Sequence, residues 1–191
     1  MSKIKLSILV PTVPRRIDNF FPKLINELLR QCVDRNDVEV LGLFDNKKRS
    51  IGAKRQSMLD ITSGEYVVFI DDDDRVAEDY ISEILNALQN NPDADCVVFD
   101  SIYTSNTGDK LYCKYGIEFE YNRVGDKWTG KPAHTMVYKT ELAKKHKYAD
   151  KLWEEDKDWV IRACKDIKNQ VRIDKVLYYY DFNTNTSEFV K

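Results

Sequence analysis

The chain has 191 residues, 42% of them apolar, with 30 Lys and Arg against 32 Asp and Glu for a net charge of -2. That length fits a single domain, 1–191, with a sizeable core, and the near-neutral balance excludes the global basic footprint of a nucleic-acid binder. The apolar run Leu6 to Val10 before Pro11 is too short for a signal peptide or a membrane span, so a cytoplasmic or peripheral location with no transmembrane segment is expected.

"KLSILVPTV" reads as a strand. In "IDNFFPKLINELLRQC", Phe20, Leu24, Leu28 and Cys32 recur at helical spacing, with Asp18 as the expected N-cap. "DVEVLGLFD" is a second strand ending in Asp45, "SIGAKRQSMLDITSG" a helix stopped by Gly64, and "EYVVFI" a third strand. Such alternation predicts a parallel, right-handed α/β unit whose ligand crevice lies beyond the strand C-termini. Thr12, Asp45 and the run Asp71 to Asp74 all fall at that rim. A helix from Glu78 to Asn90 follows. The pattern then changes: "DCVVFDSIYTS", a turn at Asn106-Thr107-Gly108-Asp109 and "KLYCKYGIEFEY" read as antiparallel strands, and "VGDKWTGKPAH" as a polar loop over the site. The strand "TMVYK", a helix from Thr140, a helix within "EEDKDWVIRACKDIK" and a last strand "QVRIDKVLYYYDFN" complete the chain, with Tyr179 facing away from Tyr178 and Tyr180. Cys32, Cys96, Cys113 and Cys164 form no CxxC pair, so reduced thiols are expected rather than a zinc site or disulfide framework.

The aspartate run poses an electrostatic problem. Adjacent carboxylates repel by about 1 kcal/mol per pair at 4 Å even in water. Capping the next helix needs one or two acids, not four. A calcium loop fails: counted from Asp72, Asp74 and Glu83 fit positions three and twelve, but Val76 and Ala77 stand where a ligand and a glycine are needed. A hard divalent cation, Mn²⁺ or Mg²⁺, with positions left for a phosphate answers the repulsion. There is neither a GxxxxGK[ST] loop nor a strand-linked GxGxxG.

The order of "SILVPTV", Asp45, "SIGAKRQSMLDITSGEYVVFIDDDD" and the pair Glu155-Asp156 in "WEEDKDWVIRA" resembles the inverting family-2 glycosyltransferases of the GT-A fold. The resemblance implies a Rossmann-like nucleotide-binding half to about residue 100, with a mainly parallel sheet and helices on both faces, and a smaller antiparallel acceptor half beyond it. It implies that Pro11, Thr12 and Asp45 meet the nucleotide base, typically uracil, of a UDP-sugar donor, and that Arg55, with Lys54, approaches its phosphates. Asp71, Asp73 and Asp74 match the family's LDxDD-like stretch: Asp73 would touch ribose or metal, Asp74 would ligate the metal, and Asp72 is the variable position.

Inverting transfer needs one carboxylate to take the acceptor hydroxyl's proton, while metal and cations steady the departing diphosphate. In "EEDKD", Asp158 can pair with Arg162 four residues on, whereas Asp156 precedes Val160 on the inward face. The family's pair selects the same Asp156 as base, with Glu155 beside it. His134 is a further candidate for phosphate, acceptor or metal contact. The acceptor is expected to be a glycan or small molecule, with hydroxymethylated phage DNA as an alternative. The competing readings are a two-metal nucleotidyl or phosphoryl transferase and a non-catalytic sugar- or cation-binding module.

Overall fold

The computed structural model of the chain describes residues 3–182. Its elements are β1 (Leu6–Thr12), α1 (Phe21–Gln31), β2 (Val38–Phe44), α2 (Ile51–Ile61), β3 (Tyr66–Phe69), β4 (Arg75–Val76), α3 (Tyr80–Asn90), β5 (Cys96–Thr104), β6 (Lys110–Tyr115), β7 (Asn122–Val124), β8 (Lys127–Gly130), β9 (Val137–Lys139), α4 (Thr140–Lys145), α5 (Glu155–Ala163) and β10 (Gln170–Asp181).

β1 lies between β2 and β3 and is parallel to both, with Leu6 opposite Val38 and Tyr66. All seven of its residues are buried, as expected of a central parallel strand covered on both faces. The order continues through β9 to β5, β6, β8 and β7. β9 runs antiparallel between β3 and β5, while β10 lies parallel along β5 and pairs β4 at its far end. α1 packs on α3, and α2, α4 and α5 pack together. The β-α-β-α-β unit therefore forms as the alternation predicts, and the rim holds the C-termini of β1, β2 and β3.

Three local expectations change. Asp18 does not cap α1, which starts at Phe21 with Pro22 in its first turn and no side-chain cap; proline fixes φ and lacks an N–H, so it belongs at a helix start. The stretch 124–134 is not all loop, because β7 and β8 pair as a hairpin through Gly125 at φ +62. The strand after the 105–109 turn ends at Tyr115. All four cysteines are free, and among the described residues no helix is long and apolar enough to cross a membrane.

Two packing features fix the site. Trp159 is 1% exposed, stacked on Tyr148 at 4.9 Å and edge-on to Tyr138 at 4.8 Å, which pins α5 to β9. Gly52 in α2 lets the chain before α5 pass closely: its N–H donates to Lys151 O, and a Cβ there would stand 1.8 Å from Ala149 O and 3.2 Å from Glu155 Cβ. Gly52→Ala is therefore expected to destabilise the fold by about 1–3 kcal/mol despite alanine's better helix propensity, read as a lowered Tm. An unchanged or raised Tm would show that α2 and α5 can separate freely.

Candidate active site

The strand C-termini and the start of α5 line one cavity of about 820 Å³. Pro11, Thr12, Lys54, Arg55, Asp71 to Asp74, His134, Glu155 and Asp156 are all on its wall. Asp45 is not: it sits just behind, its carboxylate 2.8 Å from Lys54 Nζ and accepting from the Arg49 N–H at 3.1 Å. Burial pushes the Asp45 pKa up, but Lys54 and Arg49 outweigh it and hold the carboxyl below its ordinary value. Lys54 is 2% exposed and also donates to Thr12 O at 2.7 Å, tying the ends of β1 and β2 together.

The aspartates have distinct surroundings because the chain turns sharply after Ile70, where Asp74 N–H donates to Asp71 O. Asp71 accepts from Arg55 at 2.8 Å and faces His134 Nε2 at 3.4 Å. Burial opposes its charge, yet Arg55 and His134 hold it well below the usual carboxylate range. Asp72, the expected variable position, is 2% exposed and accepts from the Thr12 hydroxyl at 2.6 Å and from Arg16 at 2.7 Å. That carboxylate orients Thr12, so the position is structurally engaged in this chain. Asp73 pairs with Arg16 at 2.7 Å, but burial, Asp71 and Asp72 raise its pKa to about 6. Asp74 accepts from the Tyr178 hydroxyl at 2.5 Å and the Asp181 N–H at 3.2 Å, and burial with Asp71 pushes its pKa well up.

At the other end of the cavity, the helical faces divide differently from the inward placement expected of Asp156. Glu155, four residues before buried Trp159, is 3% exposed and bonds Arg55 Nε at 3.1 Å. Asp156 is partly exposed and opens on the cavity, with Oδ2 3.2 Å from His134 Nδ1 and Oδ1 accepting the Lys157 N–H at 2.8 Å. Burial raises its pKa, but His134 and Arg55 bring it well below the ordinary carboxylate value. Asp158 pairs with Arg162 at 2.8 Å on the outer face, as the spacing predicts. Arg55 joins the two ends by holding both Asp71 and Glu155.

Two residues at the site escape a reading of pattern alone. Arg16 supplies the counter-charge for Asp72 and Asp73; its signal was a basic pair directly after the first strand. Tyr178 comes from the last strand and reaches the aspartate run only through the β4–β10 pairing. Tyr178 and Tyr180 do share the cavity face, while Tyr179 lies under Arg75.

The glycosyl transferase family 2 model matches residues 27–147, more than half of the chain and including the aspartate run and His134. Glu155 and Asp156 lie beyond that match. No curated protein matches significantly. Among solved structures, S. aureus TarS 1-349 in complex with UDP-GlcNAc superposes with a TM-score of 0.66 at 16% identity, over 94% of this chain and 59% of that one. The same fragment alone gives 0.66 at 17% identity over 93% and 60%, and its complex with UDP 0.65 at 16% over 94% and 61%. The chain thus spans about six-tenths of that relative, and at such identity the likeness concerns the fold. With more than half of its residues in the family match and its architecture shared, the chain belongs to glycosyl transferase family 2 and has the GT-A fold.

Proposed function

We propose that the chain transfers a sugar from a nucleotide-sugar donor, a UDP-sugar, to an acceptor hydroxyl with inversion, with Asp156 as base. The observation that carries this reading is one cavity with the aspartate run at one end and a solvent-reachable carboxylate, Asp156, at the other. The donor class rests on family membership and on TarS having been solved with UDP and UDP-GlcNAc.

In this reading Thr12, oriented by Asp72, and the Lys54-braced end of β2 receive the nucleoside. Arg55 faces the diphosphate side of the cavity, and its buried Nη1 amino group has no hydrogen-bond partner among the described residues. Asp156 takes the acceptor's proton as its oxygen attacks the anomeric carbon from the side opposite the departing diphosphate. Trp128, packed against Tyr115 and Tyr121, and Trp153 add aromatic surface to the wall on which a sugar could pack.

A divalent cation fits the donor end. The four carboxylates Asp71 to Asp74 there have Arg16 to themselves and share Arg55 with Glu155 and His134 with Asp156. Asp73 opens on the cavity, and each Asp74 oxygen accepts one bond and keeps a lone pair. Among the described residues no three His, Cys, Asp or Glu converge as a complete cage, so Asp73 and Asp74 would hold a cation whose other ligands come from the diphosphate and water. When bound, Mn²⁺ or Mg²⁺ would supply charge stabilisation for the leaving diphosphate.

Thermal unfolding with UDP, UDP-GlcNAc and other nucleotide sugars tests the donor. At about 100 times Kd a ligand adds about 2.7 kcal/mol, a Tm rise of roughly 5–10 °C for a chain of this size, and the rise should grow with Mn²⁺. If neither nucleoside diphosphates nor nucleotide sugars raise Tm, the proposal fails.

A further inference from the structure

His134 lies between the aspartate run and the candidate base and contacts both. Its Nε2 lies 3.4 Å from Asp71 Oδ2 and its Nδ1 3.2 Å from Asp156 Oδ2, with the ring 12% exposed. A neutral imidazole has one donor and one acceptor nitrogen, so between two carboxylates one contact would set acceptor against acceptor; only the imidazolium donates to both. The charged groups around the ring act in both directions. Arg55 from α2 disfavours its charge, Asp71 after β3 and Asp156 from α5 favour it, and Glu155 reaches the same cluster through Arg55. Burial and Arg55 push the ring's pKa down, the two aspartates push it up, and the balance lies up at about 9.

The cost falls on Asp156. With Lys157 N–H on one oxygen and His134 on the other, both oxygens carry a donor before any acceptor hydroxyl arrives. A carboxylate so held is a weak base. An entering diphosphate changes the competition, because it brings concentrated negative charge into the cavity that Asp71, Arg55 and His134 share.

We propose that His134 is a latch: it ties Asp156 to Asp71 while the cavity lacks a donor, and turns from Asp156 to the diphosphate when a nucleotide sugar is seated, freeing the base only in the loaded site. This rests on the reading of Asp156 as base and of the cavity as a diphosphate site. His134 is then a positioning residue, acting on the reaction through Asp156.

The chain has only two histidines, His134 and His146, so the imidazole C–H resonances can be followed by NMR, with His146→Gln assigning the pair. In the free protein the His134 midpoint should lie near 9, and Asp156→Asn should lower it by about one to three pH units. With UDP and Mg²⁺ bound, the same substitution should leave the midpoint unmoved. A free-protein midpoint indifferent to Asp156→Asn overturns the latch, since no charge would pass between the pair. UDP binding with the coupling intact also overturns it, leaving His134 a fixed strut. Absence of any UDP-induced shift or thermal stabilisation overturns the donor reading and the latch together, while the free-protein coupling still reports whether the ion pair exists.

Discussion

Asp156→Asn is expected to remove transfer almost entirely, lowering kcat by about 10²–10⁴ fold, while the Tm rise produced by UDP with Mn²⁺ is kept or enlarged, since donor binding no longer has to draw His134 away from a charged Asp156. The amide keeps the side chain's size and can still accept a bond from His134, but it cannot hold the acceptor's proton. The prediction separates three readings. A glycosyltransferase loses turnover and keeps donor binding. A sugar- or cation-binding module has no turnover to lose, and a phosphoryl transferase acting through the aspartate run would lose little, because Asp156 lies across His134 from that run. Nucleoside diphosphate release from a sugar donor, with water as acceptor when no other is known, gives the rate. Retention of more than about a tenth of the wild-type rate would remove Asp156 from the base role. Glu155→Gln makes a poor substitute for this test: Glu155 is buried against Arg55, so its loss would act first on stability.

Much of this site was legible because the relevant signals are local. Strands with apolar runs, helices with 3.6 periodicity and polar residues at strand ends place Thr12 and the aspartate run at one rim by topology alone. The pairing of Asp158 with Arg162 is likewise a matter of helical spacing. What stayed illegible depends on contacts distant in sequence. β9 inserts between β3 and β5, and nothing local in "TMVYK" specifies those partners. The resemblance left Asp72 as the variable position of the family's LDxDD-like stretch, and no local signal shows that Thr12 donates to it from 60 residues away. Asp45 ends a strand at the rim as expected, but the long arm of Lys54 draws its carboxylate behind the wall. Helical spacing set Asp156 inward against Asp158 and was silent on Glu155; with Trp159 stacked on Tyr148, Glu155 is the buried residue and Asp156 opens on the cavity.

Arg55→Met should be the most destabilising single change at the site, costing about 3–5 kcal/mol, because it leaves Asp71 and Glu155 without their shared guanidinium in a buried setting. For a chain of this length that is a Tm loss of roughly 6–20 °C. The guanidinium is 4% exposed and also lies over the Phe69 ring at 5.3 Å, so methionine would keep part of the packing and none of the charge. Arg55→Lys should fall between the two: one ammonium retains the charge but cannot reproduce a fork that bonds Asp71 through Nη2 and Glu155 through Nε. The pH dependence has a definite sign. Asp71 is held below its ordinary pKa by Arg55 and His134 against burial, so its contribution is present above the unfolded carboxylate value, about 3.9, and is lost as pH falls through and below it. Arg55→Met lacks the Arg55 share of that contribution, and the Tm gap to wild type should therefore narrow as the pH is lowered from 7 toward 3. A variant within about 2 °C of wild type at pH 7, or a gap that widens in acid, would mean that the two carboxylates are not balanced by Arg55 and that the two ends of the cavity are held in register by something else.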